Sequence, residues 1–193
     1  MKTASGLRAP FVAALVGVSL PAMAVNIKFN DIPYTGELAG VGPTYSAKGY
    51  TFHYAPATGE PYPTYFFVVN PEWRFNGRSP ALVANSCTAT TRLVADDNSP
   101  FKLKSIWLAP LNGDKSGVVT FIGIKADNTL VRTNFLLDDR RVWKRYDFPA
   151  AFTNLQYAMW VQGDCVVNPP HMFDNVRVSP MSTTGMVEND EDD

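Results

Sequence analysis

An acid on an apolar row is the first residue in this chain that asks for chemistry. The segment Met172-Phe173-Asp174-Asn175-Val176-Arg177-Val178 reads as a strand. Side chains alternate faces along a strand, so Asp174 is expected beside Val176 and Val178, with Phe173, Asn175 and Arg177 on the other face. If the valine side is the core, a carboxylate there is costly unless it is paired, hydrogen-bonded or bound to a cation. Near the other end, a strand from Val25 to Ile32 would put Ile27, Phe29 and Asp31 on one face, so Asp31 extends a second apolar row.

Other chemistries find less to work with. Glycoside hydrolysis needs two carboxylates held across a cleft. Outside the C-terminal tail the glutamates are Glu37, Glu60 and Glu72, all in loop-like surroundings, and Asp138-Asp139-Arg140-Arg141 reads as a solvated hairpin with offsetting charges. No Gly-x-Ser-x-Gly elbow, His-Glu-x-x-His helix or phosphate-cradling glycine loop occurs. His53 and His171 have no recognisable catalytic context and read as ordinary hydrogen-bonding residues. Sugar binding needs an aromatic face for a pyranose and a few polar groups to read its hydroxyls. Tyr62, Tyr65 and Trp73, in or beside the Pro-rich stretch 56–63, are the candidates for that ligand-binding platform, whereas Trp107, Trp143 and Trp160 lie in strand-like segments and are expected to pack.

The elements that must position these residues are short strands. Apolar alternation with turn residues at short intervals runs from Val25 to Val178, and no segment of helical length shows a period near 3.6. The spacing predicts strands over 25–32, 49–55, 65–70, 81–85, 88–95, 101–109, 117–126, 129–137, 142–148, 152–161 and 172–178. Leu111-Asn112-Gly113-Asp114 and Ala126-Asp127-Asn128 read as turns, the second closing a hairpin between two long strands. Tyr34 to Lys48, rich in Gly, Pro and polar residues, reads as a surface loop. The pattern is that of an all-β protein, an antiparallel β-sandwich.

The N-terminus has the form of a secretory signal peptide over 1–24. Lys2 and Arg8 precede an apolar run too short to span a bilayer, and Ala22-Met23-Ala24 offers a cleavage site. A secreted, periplasmic or extracellular protein is expected. Without Lys2 and Arg8 the chain carries 15 basic and 18 acidic residues, a net charge of −3. Five acids, Glu188, Asp190, Glu191, Asp192 and Asp193, sit in the stretch 179–193, which has the composition of a disordered tail. The domain over 25–178 is thus close to neutral, which leaves nucleic-acid binding without an electrostatic footprint. The only cysteines are Cys87 and Cys165. In an oxidising compartment a disulfide between them is the simplest arrangement, with about 4 to 5 kcal/mol of stabilisation in the chain-entropy model. Two buried free thiols are the other arrangement that the sequence allows.

The order of these features resembles a recurrent secreted jelly-roll domain of bacterial extracellular proteins, related to galactose-binding-like carbohydrate-binding modules. The residues that carry the resemblance are Ile27 to Ile32, Gly49-Tyr50-Thr51-Phe52, Phe101 to Leu108, Val119 to Gly123 with Ala126-Asp127, Phe152-Thr153-Asn154-Leu155 and Phe173-Asp174-Asn175-Val176. The resemblance implies a sandwich of jelly-roll type whose first and last strands are neighbours, with structural calcium where they meet. Asp31 and Asp174 would then be metal ligands, with backbone carbonyls and water completing an oxygen shell. It also implies a non-catalytic binding protein whose partner is a glycan at the cell surface or in extracellular matrix. A structural or adhesive protein with a surface-protein partner, and more distantly a secreted hydrolase, are the alternatives that the residues leave open.

Overall fold

Alternation does most of the folding. In the stretch Tyr50–Ala55 the buried residues are Tyr50, Phe52 and Tyr54, every second one, and each side chain between them is less buried. The computed structural model describes residues 23–59, 65–70, 79–112, 115–140, 142–164 and 166–181. The expected leader and acidic tail fall almost wholly outside that range. Among the described residues every element is a strand: β1 (Val25–Ile27), β2 (Leu38–Gly42), β3 (Thr44–Ala47), β4 (Tyr50–Ala55), β5 (Phe66–Val69), β6 (Ala81–Ala84), β7 (Thr90–Ala95), β8 (Phe101–Pro110), β9 (Gly117–Lys125), β10 (Leu130–Leu137), β11 (Lys144–Asp147), β12 (Leu155–Val161) and β13 (His171–Pro180). No helix among them is long and apolar enough to cross a membrane.

All the pairings are antiparallel, and they fall into two layers. One runs β2-β5-β6-β13-β8 with β11 on the far side of β8, and the other runs β3-β4-β7-β12-β9-β10. A single residue pair, Leu155 with Phe101, joins β12 to β8 where the layers meet. From β6 onward the strands lie in the order β6-β13-β8-β11 over β7-β12-β9-β10, which is the double Greek key of a jelly roll. Strand β1 lies beside β13, with Ile27 opposite Val176 and Val25 opposite Val178, so the first and last strands are neighbours.

The layers face each other through aromatic rings. Phe173 of β13 meets Phe52 of β4 at 5.8 Å between centroids and Trp160 of β12 at 5.1 Å. Tyr54 meets Phe66 of β5 at 5.5 Å. Strands far apart in the hydrogen-bonding order thus touch across one core, as a β-sandwich requires. The turn at Asp127-Asn128 closes the β9–β10 hairpin, with Asn128 at a φ of 66° and Thr129 N donating to Asp127 Oδ1 at 2.9 Å.

The structure corrects the expected loop over Tyr34 to Lys48, which contains β2 and β3. Both extend a sheet at its edge, where one side of the strand has no partner to bury and a sequence such as Leu-Ala-Gly-Val-Gly is tolerated. The expected strand at 25–32 is also shorter. It ends at Ile27, and Ile32 N donates to Phe29 O at 3.2 Å to close a turn.

Candidate functional site

Asp174 does not continue the valine row. Phe173, Val176 and Val178 are all fully buried in the core, so β13 takes an extra residue between Phe173 and Val176. The register with β8 shifts between Asp174 and Arg177, and Asn175 adopts a φ of 49°. Such a bulge turns a strand's facing by one residue, and Asn tolerates positive φ better than most side chains. Asp31 leaves its expected row too. It lies exposed in the turn after β1, while Phe29 and Ile32 on either side are buried.

The bulge nonetheless buries Asp174 to 3% exposure. Its Oδ2 accepts from the Ser79 hydroxyl and from Asn175 Nδ2, the latter at 2.7 Å. Asn175 Oδ1 in turn accepts from Asn26 Nδ2 of β1 at 3.0 Å. Burial pushes the Asp174 carboxyl up, against the Ser79 and Asn175 hydrogen bonds and the positive charge of Lys28. Asp174 Oδ1 is buried without a hydrogen-bond partner among the described residues.

Both acids act on one phenol. Tyr45 OH donates to Asp31 Oδ1 at 2.7 Å and lies 3.2 Å from Lys28 O. Burial raises the Tyr45 hydroxyl far above the usual tyrosine range, and the hydrogen bond to Asp31 and the charges of Asp31 and Asp174 add to that. Asp31 Oδ1 and the Lys28 carbonyl thus meet at the Tyr45 hydroxyl, and the Asp174 charge reaches the same phenol. Among the described residues no third acid, histidine or cysteine joins them.

On the outer face of the first layer, Tyr65 is half-buried and stacks on Phe67, with centroids 5.2 Å apart and planes 12° apart. A Cβ on Gly40 would stand 3.0 Å from the Tyr65 ring, so glycine lets β2 pass close beneath it and a larger residue would need the ring to shift. Beyond Phe67 a groove of about 320 Å³ is lined by Leu38, Val83, Asn85, Leu111 and Pro170 among others. Its floor adjoins a second apolar cluster of Val69, Ala81, Val83, Ala109 and Met172, packed by Phe67, Leu111 and Trp143. Tyr62 and Trp73, the other two residues of the expected sugar platform, lie outside the described residues. Of the three tryptophans expected to pack, Trp160 is in the core, Trp143 lies against the outer cluster and Trp107 is half-buried on β8.

Sequence reasoning missed the polar interior at the other end of β13. His171 is 1% exposed, and burial pulls its pKa down to about 4. Gln162 holds that end together, donating to His171 O at 2.8 Å and accepting from Ala84 N at 3.2 Å. The histidine's place next to Met172 and Phe173 on a buried strand was the available signal. Cys87 follows β6, and its expected partner Cys165 lies outside the described residues.

No family model matches the chain, and no curated protein does. Solved structures align with it at low similarity. A tandem of CBM22 domains from Paenibacillus barcinonensis Xyn10C aligns at a TM-score of 0.47 and 9% identity, over 90% of this chain and 50% of that one. This chain thus spans half the length of the tandem. The family 29 carbohydrate-binding module CBM29_1 of Piromyces equi aligns at 0.45 and 14%, over 87% of this chain and 97% of that one. A truncated AlyQ with CBM32 and alginate lyase domains aligns at 0.41 and 15%, over 77% and 36%. The jelly-roll order described above stands on this chain's own hydrogen bonding.

Proposed function

We propose that this protein is a non-catalytic glycan-binding protein that presents its ligand site on the outer face of the β2-β5-β6-β13-β8 layer. The observation that carries this reading is the stacked Tyr65–Phe67 pair beside an open groove edged by Asn85. Aromatic surface next to a carboxamide is the combination by which a pyranose is stacked and its hydroxyls are read. A glycan array probed with the full chain tests it. Binding that falls at least about tenfold in Tyr65→Ala, on the scale of a lost aromatic contact, is expected. An array without hits, together with recovery of a cell-surface protein as partner, would favour the adhesive alternative instead.

Two structural features belong to the same proposal. Ca²⁺ at Asp174 Oδ1, with Asp31 as second carboxylate, would neutralise the two acids where β1 and β13 meet. A Cys87–Cys165 disulfide would fasten the end of the sandwich nearest the groove. The flanking chain supports it, since Thr88 N donates to Gly163 O at 2.5 Å and Gln162 N to Ala89 O at 2.8 Å, bringing the two segments side by side. Mass spectrometry of the unreduced protein should find no thiol available for alkylation, and two alkylated cysteines would sink the pairing.

A further inference from the structure

The outer face holds a second groove, of about 320 Å³, at the β1-β13-β8-β11 end of the layer, lined by Asn26, Trp107, Arg145, Asn175 and Arg177 among others, with Ala24, the last residue of the expected leader, at its edge. Cross-strand register builds it from two adjacent rows. Asn26 of β1 stands opposite Arg177 of β13, Arg177 opposite Ser105 of β8, and Ser105 opposite Asp147 of β11. In the next row Asp174 stands opposite Trp107, and Trp107 opposite Arg145. Trp107 thus has Arg145 opposite it on β11 and Asp174 opposite it on β13, with Arg177 in the neighbouring row.

The two arginines differ in what they already hold. Arg145 Nη2 donates to Asp147 Oδ1 at 2.7 Å, which fixes its side chain on β11 and offsets its charge. The ion pairs among the described residues are this one and Arg140 with Asp138, and neither uses Arg177. Arg177 is exposed, while the Asn26–Asn175 amide pair beside it is hydrogen-bonded and partly buried. A planar fork of N–H donors on a rigid strand matches a carboxylate in bidentate fashion.

We propose that this groove binds a uronic acid residue of an acidic glycan, its carboxylate on Arg177 and its ring in the groove that Asn26, Asn175 and Trp107 line. The inference rests on the glycan-binding reading and narrows it to carboxylated polysaccharides. Affinity electrophoresis of the mature chain through gels containing polygalacturonate, dextran sulfate or neutral galactomannan tests it. Polygalacturonate should retard the protein most, and Arg177→Gln should weaken that retardation at least about tenfold, the scale of a lost hydrogen bond to a charged group. Arg177→Lys, which keeps the charge and loses the fork, should recover only part of it. Lys102→Gln, on β8 outside the groove, should bind as the parent does.

Equal loss in Lys102→Gln, or stronger retardation by dextran sulfate, would show diffuse charge attraction and overturn the site. Retardation by galactomannan alone would overturn the uronate site and leave glycan binding standing. No retardation by any polymer would remove both. A thermal melt of each variant confirms that the fold is intact before its mobility is read.

Discussion

His171 and Asp174 lie three residues apart on one strand, both nearly sealed from water, and their surroundings could hardly differ more. Burial favours the neutral form of each, lowering the histidine to about 4 and raising the carboxyl. Around His171 the strand is regular, and its buried polar neighbour Gln162 bonds to the backbone of His171 and not to its ring. Neither ring nitrogen of His171 has a partner among the described residues, nor do Trp160 Nε1, Thr91 Oγ1 or Tyr54 OH. The last three stand in one cross-strand row over β12, β7 and β4. Around Asp174 the strand bulges, and a chain of polar groups runs from Ser79 through Asp174 and Asn175 to Asn26 and the surface. A regular strand delivers its side chains into a sealed core, whatever their polarity. An extra residue lets polar groups link into a chain, with Asp174 Oδ1 and Asn26 Oδ1 left without partners among the described residues.

The strongest way to break this contrast is to remove what separates the two sites. Phe173 lies between them and touches Phe29, Phe52, Phe66 and Trp160, with centroids 5.1–6.4 Å away. Phe173→Ala should cost about 3–5 kcal/mol in denaturant unfolding. A loss below about 1 kcal/mol would mean that the core does not depend on this strand.

The next effect belongs to the sealed end. An unfolded histidine titrates near 6.5, and the folded His171 near 4, so between those values the unfolded chain binds the extra proton. Stability from this group is therefore complete above about pH 6.5 and is lost as pH falls toward 4, by about 3 kcal/mol in all. His171→Leu keeps the apolar packing and should flatten that part of the slope. Urea unfolding at pH 7.5 and 4.5 measures it, and parallel losses in parent and variant would assign the acid sensitivity to other groups.

What was legible in the sequence follows the same division. Where alternation is unbroken, as from Tyr50 to Tyr54, residue types alone place the side chains, and the all-β sandwich follows, whereas the neighbouring first and last strands were implied by the jelly-roll resemblance. Where a single residue is inserted, alternation misassigns a face. Asp174 was expected beside Val176, yet Phe173 takes that side, because Asn175 in a positive-φ step leaves no hydrophobic trace. The edge strands β2 and β3 were hidden for a related reason, since half-exposed strands can be built from Gly, Ala and Ser. The Arg177–Trp107–Arg145 groove was legible only in part. Alternation put Arg177 on the outer face, but the residues beside it come from strands 70 and 32 positions earlier, and only register joins them.

The smallest expected effect falls on the bulge and decides why an acid is kept there. A carboxyl whose folded pKa is raised contributes stability at low pH and loses it as pH rises through that raised value. Without a cation, Asp174→Asn should therefore be at least as stable as the parent at pH 7, its amide oxygen still accepting from Ser79. Ca²⁺ at a hundred times its dissociation constant should stabilise the parent by about 2.7 kcal/mol and the variant not at all. Melting curves with EDTA and with added Ca²⁺ give both comparisons. If neither addition moves the parent, Asp174 is an acid tolerated for its hydrogen bonds to Ser79 and Asn175, and the bulge serves to aim Asn175 and Arg177 at the outer groove. If Ca²⁺ moves the parent alone, the metal fixes the chain of amides from Asp174 to Asn26, and the floor of that groove is set by an ion bound inside the sandwich.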